Sequence, residues 1–249
     1  MGSGYYQTGE QRAERVSDLF AAIAPRYDLI NDLQSFGLHR WWKRRLLQLA
    51  AVKTGDTALD HCCGTGDVAF ALAAAGARTT GVDFSAPMLA VAEARKAKGN
   101  GQGTQVGQPG NLVFLQGDAL CLPFPDAHFN VVTISYGLRN LASVEAGLRE
   151  MWRVLKPGGR LLVLDFGKPD NAAWRAVYFT YLRVAVPVFG RIFCRNAAAY
   201  AYILESLQHY PAQRGVDGMV RSLGASDPRI ASFLGGVMSI NAAVKPSGG

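Results

Sequence analysis

The 249-residue chain has few cysteines and few charges, and its apolar runs are short. Cys62, Cys63, Cys121 and Cys194 are its only cysteines, with no CxxC pair among them. A disulfide-stapled scaffold is excluded, a reducing compartment is expected, and no zinc site is expected. Charged residues make up 18% against 49% hydrophobic ones, too apolar a composition for a disordered chain. The most apolar stretch, Trp174 to Cys194, is interrupted by Arg175, Arg183 and Arg191, so no segment reaches the roughly 20 residues of a spanning helix. No secretory apolar region opens the chain, and 1–11 and 246–249 are set aside as flexible ends.

Lys and Arg number 26 against 19 acidic residues, a net +7, which permits an anionic partner without requiring one. Residues 12–50 read as a helical cap. Arg12 to Tyr27 carries Val16, Leu19, Phe20 and Ile23 at helical spacing, and Leu38 to Ala50 mixes His39, Arg40, Lys43, Arg44 and Arg45 with Trp41 and Trp42. Trp41 and Trp42 either anchor an interface or bury one helix face. His39 is a candidate proton acceptor or a surface histidine.

From residue 51 the text alternates strand and helix. Strands are predicted at Thr57 to Asp60, Arg78 to Asp83, Leu112 to Gln116, Val131 to Ser135 and Leu161 to Asp165. Helices are predicted at Asp67 to Ala75, Met88 to Lys96 with Ser85 as its N-cap, and Val144 to Leu155, which Lys156-Pro157-Gly158-Gly159 stops. Such alternation implies an α/β fold with a mostly parallel sheet and helices on both faces, here over 51–167. Residues 168–229 read as an aromatic, helical lid or substrate wall carrying Trp174, Tyr178, Phe179, Tyr181, Tyr200 and Tyr202. A closing strand, Gly235 to Val244, falls within 230–245, and Lys98 to Gly110 reads as a low-complexity loop.

Three consecutive strand ends carry ligand chemistry. Gly64-Thr65-Gly66 follows the first, lies where open parallel sheets present their crevice, and lets a ligand approach the backbone. Asp83 ends the second, where a carboxylate accepts ribose hydroxyls, and Asp118, before Ala119, ends the third, within reach of an adenine amino group. Gly64-x-Gly66-x-x-Ala69 also fits a dinucleotide fingerprint, leaving a nicotinamide-dependent oxidoreductase as a rival. Asp67 at the helix start and Asp60 before the loop form an acidic collar that disfavours a pyrophosphate and suits a cationic cofactor such as S-adenosylmethionine.

The loop, the acidic strand ends and the KPGG turn resemble class I S-adenosylmethionine methyltransferases. Four blocks narrow the resemblance to the UbiE/MenG/COQ5 family of quinone-biosynthesis C-methyltransferases: PRYDLINDLQSFGLHRWWKR (Pro25 to Arg44), CCGTGD (Cys62 to Asp67), LPFPDAHFNVVTISYGLRN (Leu122 to Asn140) and RVLKPGGRLLVLDF (Arg153 to Phe166). The resemblance implies a Rossmann-like, seven-stranded fold and methyl transfer to a ring carbon of a polyprenylated quinol. It places Asp60, Gly64, Thr65, Gly66, Asp83, Phe84, Asp118, Ala119 and Ser135 at the cofactor and requires no metal. Arg139 and Asn140, after a strand end, are expected to contact the ring oxygens, and Tyr27, beside Asp28 on the cap, to serve the same site. Asp165-Phe166-Gly167 and the block Tyr200 to Ile203 are more similar to the naphthoquinone branch, which makes demethylmenaquinol or demethylphylloquinol the expected acceptor and a ubiquinone-pathway benzoquinol the alternative. The expected partners are the lipophilic quinol and, optionally, a membrane surface or a second copy in a homodimer. The expected location is the cytoplasm or an organelle stroma or matrix, peripheral to a membrane. Nucleic acid is not expected, because no basic strip interleaved with aromatics recurs beyond 39–45.

Overall fold

The computed structural model describes residues 31–32, 35–99, 111–194 and 204–247, with the backbone alone for 185–194. The expected helix Arg12 to Tyr27, Tyr27 and Asp28 themselves, Tyr200 to Ile203 and most of the loop Lys98 to Gly110 lie outside them.

The first described helix, α1 (Leu38–Ala50), buries His39, Trp42, Leu46 and Ala50 at the three-and-four spacing of one face. There follow β1 (Thr57–His61), α2 (Asp67–Ala74), β2 (Arg78–Asp83), α3 (Ala86–Ala97), β3 (Leu112–Gln116) and β4 (Phe129–Ser135). A 3-10 turn (Leu138–Asn140) leads to α4 (Val144–Val154) and β5 (Leu155–Phe166). The chain continues through α5 (Ala172–Cys194), α6 (Ala212–Ser222), β6 (Ser226–Phe233) and β7 (Met238–Val244).

The strands form one seven-stranded sheet in the order β3-β2-β1-β4-β5-β7-β6. β1 to β5 pair in parallel, whereas β7 runs antiparallel to both β5 and β6. The order reverses between β1 and β4, so the crevice of an open sheet falls at the carboxyl ends of these strands. Helices cover both faces. Leu59, Ile134 and Val163 pack with Leu148 and Met151 of α4 and Val216 of α6 on one side. On the other, Ala58, Leu162 and Ile240 pack with Trp42 and Leu46 of α1 and Leu72 of α2. β1 and β4 are accordingly buried along nearly their whole length, as strands covered on both faces are.

Three local differences from the sequence reading have physical causes. β5 begins at Leu155 rather than Leu161, with Lys156-Pro157-Gly158-Gly159 carried as a bulge between the pairs Phe129–Leu155 and Val131–Arg160. Gly158 makes that bulge at φ +75°, a left-handed value that a side chain disfavours. β6 is an additional strand with weak alternation, mostly exposed, which carries Pro228, Asp227 and Arg229 as edge strands do. Finally, α6 lies within the stretch expected to be a lid, yet it buries Val216 and Val220 against the sheet, so 212–222 belongs to the helical layer.

Candidate active site

The first loop at the carboxyl edge is pinned by its own backbone. Asp83 at the end of β2 accepts from Gly64 N–H at 2.8 Å with one oxygen and from Ser85 N–H at 2.9 Å with the other. It thereby ties the β1–α2 loop to the start of α3. Burial raises the Asp83 carboxyl above its ordinary value, opposed by those N–H donors. Gly66 turns the chain at φ +88°, and a Cβ there would lie 2.8 Å from the Phe114 ring and 3.0 Å from Phe70, so only glycine fits. Cys63, beneath the loop, donates its N–H to Val82 O at 3.0 Å. Burial pushes both the Cys62 and Cys63 thiols well above the normal range, which leaves them unsuited to nucleophilic work.

Four carboxyl groups surround that loop. After burial, Asp83, Asp60, Asp165 and Asp118 all act on the Cys62 thiol, each holding it protonated, so the two acidic strand ends read from sequence converge with Asp60 before the loop and Asp165 of β5. Asp60 is buried, accepts from Thr133 Oγ1 at 2.9 Å, and is raised by that burial to about 7. Asp118 is exposed and accepts from Leu120 N–H at 2.8 Å, with Ala119 buried beside it. Phe84 is exposed next to Asp83. Ser85 Oγ and Ser135 Oγ are buried without a hydrogen-bond partner among the described residues. Ser85 N-caps α3 by position but not by a side-chain bond. Orphaned hydroxyls flanking a glycine turn and carboxylates suit a polar nucleoside ligand.

The acidic collar at the helix start is corrected by the structure. Asp67 is clamped by Lys43 Nζ at 2.6 Å and Arg95 Nη2 at 2.7 Å, and Arg95 also donates to Thr65 O at 2.8 Å. Those two cations outweigh burial and hold the Asp67 carboxyl at about 2. The charge at the start of α2 is thus compensated, and it gives no electrostatic case against a pyrophosphate. Neither Lys43 nor Arg95 was legible as a partner, because 24 and 28 residues separate them from Asp67.

Arg139 is corrected as well. The residue is buried, 5% exposed. Nη1 sits 2.8 Å from Asp165 Oδ1 and 2.5 Å from Tyr136 O, and the group lies over the Phe166 ring at 4.8 Å. It forms a buried ion pair instead of reaching from the crevice mouth. Asn140 Nδ2 donates to the same Tyr136 carbonyl at 3.1 Å. The two side chains therefore lock the corner after β4, where Tyr136 adopts φ +60°. His39 is buried on α1, 2.9 Å from Ser35 Oγ through Nδ1, and burial lowers its pKa. It is not the surface histidine expected. Trp41 and Trp42 divide: Trp42 is 5% exposed in the core and Trp41 is 50% exposed.

Residues 7–245 match the model of the ubiE/COQ5 methyltransferase family. The chain is 40% identical to a ubiquinone/menaquinone biosynthesis C-methyltransferase of Pseudomonas fluorescens, over 95% of this chain and 91% of that protein. It is 38% identical to a protein of the same description from Cellvibrio japonicus, over 95% and 94%. Among solved structures it resembles an S-adenosylmethionine-dependent methyltransferase from Thermotoga maritima, with TM-score 0.60 at 17% identity, covering 92% of this chain and 99% of that one. It equally resembles the [4+2]-cyclase SpnF, with TM-score 0.60 at 20% identity, covering 95% and 97%. Because a cyclase shares it, the fold alone does not assign the chemistry; the family match does, and it sets the nicotinamide reading aside. The chain belongs to the ubiE/COQ5 family and is an S-adenosylmethionine-dependent methyltransferase.

Proposed function

We propose that the protein methylates a ring carbon of a polyprenylated demethylnaphthoquinol, that is, demethylmenaquinol or demethylphylloquinol. The observation that carries the reading is the near-full-length similarity, about 40% identity, to proteins described as quinone-biosynthesis C-methyltransferases. The Asp165-Phe166-Gly167 text inclines the acceptor toward a naphthoquinol, while the relatives' description names both pathways and keeps a benzoquinol as the second reading.

S-adenosylmethionine supplies an electrophilic methyl group on a sulfonium. Asp83 would take its ribose hydroxyls and Asp118 its adenine amino group, since a carboxylate accepts and does not donate. The backbone of Gly64, Thr65 and Gly66 admits the ligand closely, and Asp60, Phe84, Ala119 and Ser135 complete the set. The acceptor would react as the hydroquinone: loss of a phenolic proton to solvent pushes electron density onto the neighbouring ring carbon, which would take the methyl group in line as its bond to sulfur breaks, and that carbon would then shed its own hydrogen as a proton while the oxygen regains one, restoring the aromatic ring. Much of the rate comes from orientation, for which well-aligned reactants reach effective molarities of about 10⁵ to 10⁸ M. Arg139 and Asn140 serve by holding the Tyr136 corner against which that alignment is set; Tyr27 remains a candidate for the acceptor side.

The test is a comparison of kcat/KM for reduced demethylnaphthoquinol and reduced demethylbenzoquinol carrying the same short isoprenoid tail. The naphthoquinol should be favoured by about tenfold, on the scale of one well-placed pocket contact. A preference for the benzoquinol would transfer the assignment to the ubiquinone pathway.

A further inference from the structure

Three elements bring exposed apolar side chains to one rim of the molecule. On α1, Leu38 and Trp41 are exposed one turn apart, along the border of the face that buries Trp42 and Leu46. Trp41 packs edge-on against Phe233 at the end of β6, with ring centroids 5.0 Å apart. The next residue, Leu234, is 53% exposed, and its carbonyl accepts from Trp174 Nε1 at 2.9 Å. From Trp174 an exposed stripe continues along α5 through Val177, Tyr181 and Val184 at helical spacing, while Tyr178 and Leu182 turn inward. Phe36, 76% exposed, stands just before α1.

The place of this rim is fixed by the sheet. Met238, at the start of β7, pairs with Phe166 at the carboxyl end of β5, so the β6–β7 connection that carries Leu234 lies at the same edge as the Gly64–Gly66 loop. The rim thus passes from α1 on one sheet face, over the connection, to α5 on the other, beside the crevice. Large exposed apolar patches mark interaction sites, and tryptophan and tyrosine suit a boundary between apolar and wet media.

Charge selects the partner. Arg44 and Arg45 follow Trp41 by three and four residues on the exposed face of α1, one turn farther from the edge, and the whole chain carries +7. Apolar groups at the tip with guanidiniums one turn behind match the depth profile of a bilayer surface, with acyl chains inside and anionic phosphates above them. No helix among the described residues is long and apolar enough to cross a membrane. We propose that this rim, centred on Trp41, Leu234 and Trp174 and backed by Arg44 and Arg45, docks on an anionic phospholipid surface, presenting the crevice to an acceptor that stays in the bilayer. The last clause rests on the quinol reading above; the docking itself does not.

The test uses the full-length protein with vesicles of phosphatidylcholine alone or doped with phosphatidylglycerol, without acceptor, and reads co-sedimentation together with tryptophan quenching by brominated lipid. The wild type should bind the doped vesicles with quenching. Arg44→Glu/Arg45→Glu should weaken that binding by at least about tenfold. Trp41→Ser/Leu234→Ser should abolish it, while methylation of a short-tailed, water-soluble quinol persists in both variants. Absence of vesicle binding, equal binding by wild type and variants, or a dimer that Trp41→Ser/Leu234→Ser dissolves without any vesicle binding would each overturn the proposal. Vesicle binding without activity on any quinol would instead reject the acceptor reading and leave the docking intact.

Discussion

Asp60 and His61 are neighbours in β1, and burial acts on them in opposite directions. Asp60 rises from 3.8 to about 7, so the fold holds its proton more tightly than the unfolded chain does, and this group withdraws stability as pH climbs through that interval. His61 falls from 6.5 to about 4, with burial outweighing the pull of the Ala119 backbone and Glu150, so the unfolded chain takes up its proton first. That group withdraws stability as pH drops through its own interval. Each slope is about 1.4 kcal/mol per pH unit, and between roughly pH 4.5 and 6 they oppose one another. Urea unfolding of the ligand-free protein across that window should show stability rising with pH, relative to wild type, in Asp60→Asn, and falling with pH in His61→Leu. Parallel profiles in all three proteins would contradict the burial argument. Such effects are not legible in the letters Asp and His; they depend on the complete burial of both side chains once β1 is assembled into the sheet.

The 3-10 turn Leu138–Asn140 and strand β5 meet through the Arg139–Asp165 pair. Sequence placed Arg139 correctly after a strand end but could not show that Asp165, 26 residues away, would capture it. The β1 loop was more legible, because a glycine turn between a strand and a helix is a local pattern, and the Gly64 to Asp83 contact follows from parallel pairing. α1 and β2 have the bounds expected, since apolar spacing sets both, whereas β6, at the sheet edge, has little burial to announce it. Arg139→Ala would leave Asp165 buried without its cation, which costs about 3 to 5 kcal/mol. Thermal unfolding should therefore show a lowered Tm, partly restored in Arg139→Lys, with turnover of the folded fraction falling alongside it as the Tyr136 corner loosens. A full Tm with a turnover collapse would return Arg139 to the acceptor and remove it from the scaffold.

At the scale of the molecule, the sheet order and the rim make one arrangement. The reversal between β1 and β4 opens a crevice lined by carboxylates from successive strand ends, and the apolar rim borders that same edge. On the proposed quinol reading, the cofactor and a greasy aromatic acceptor meet at that edge. The α/β class and the parallel core follow from alternating strand and helix text; the rim does not, since Trp41, Phe233 and Trp174 are gathered from three distant segments. The central claim is that a reduced quinol ring accepts the methyl group on carbon at this edge. Incubation with methyl-labelled S-adenosylmethionine, followed by mass spectrometry of the acceptor, should place the label on a ring carbon of the reduced demethylnaphthoquinol and none on the oxidised quinone. Label on a ring oxygen, or equal labelling of both redox forms, would contradict it.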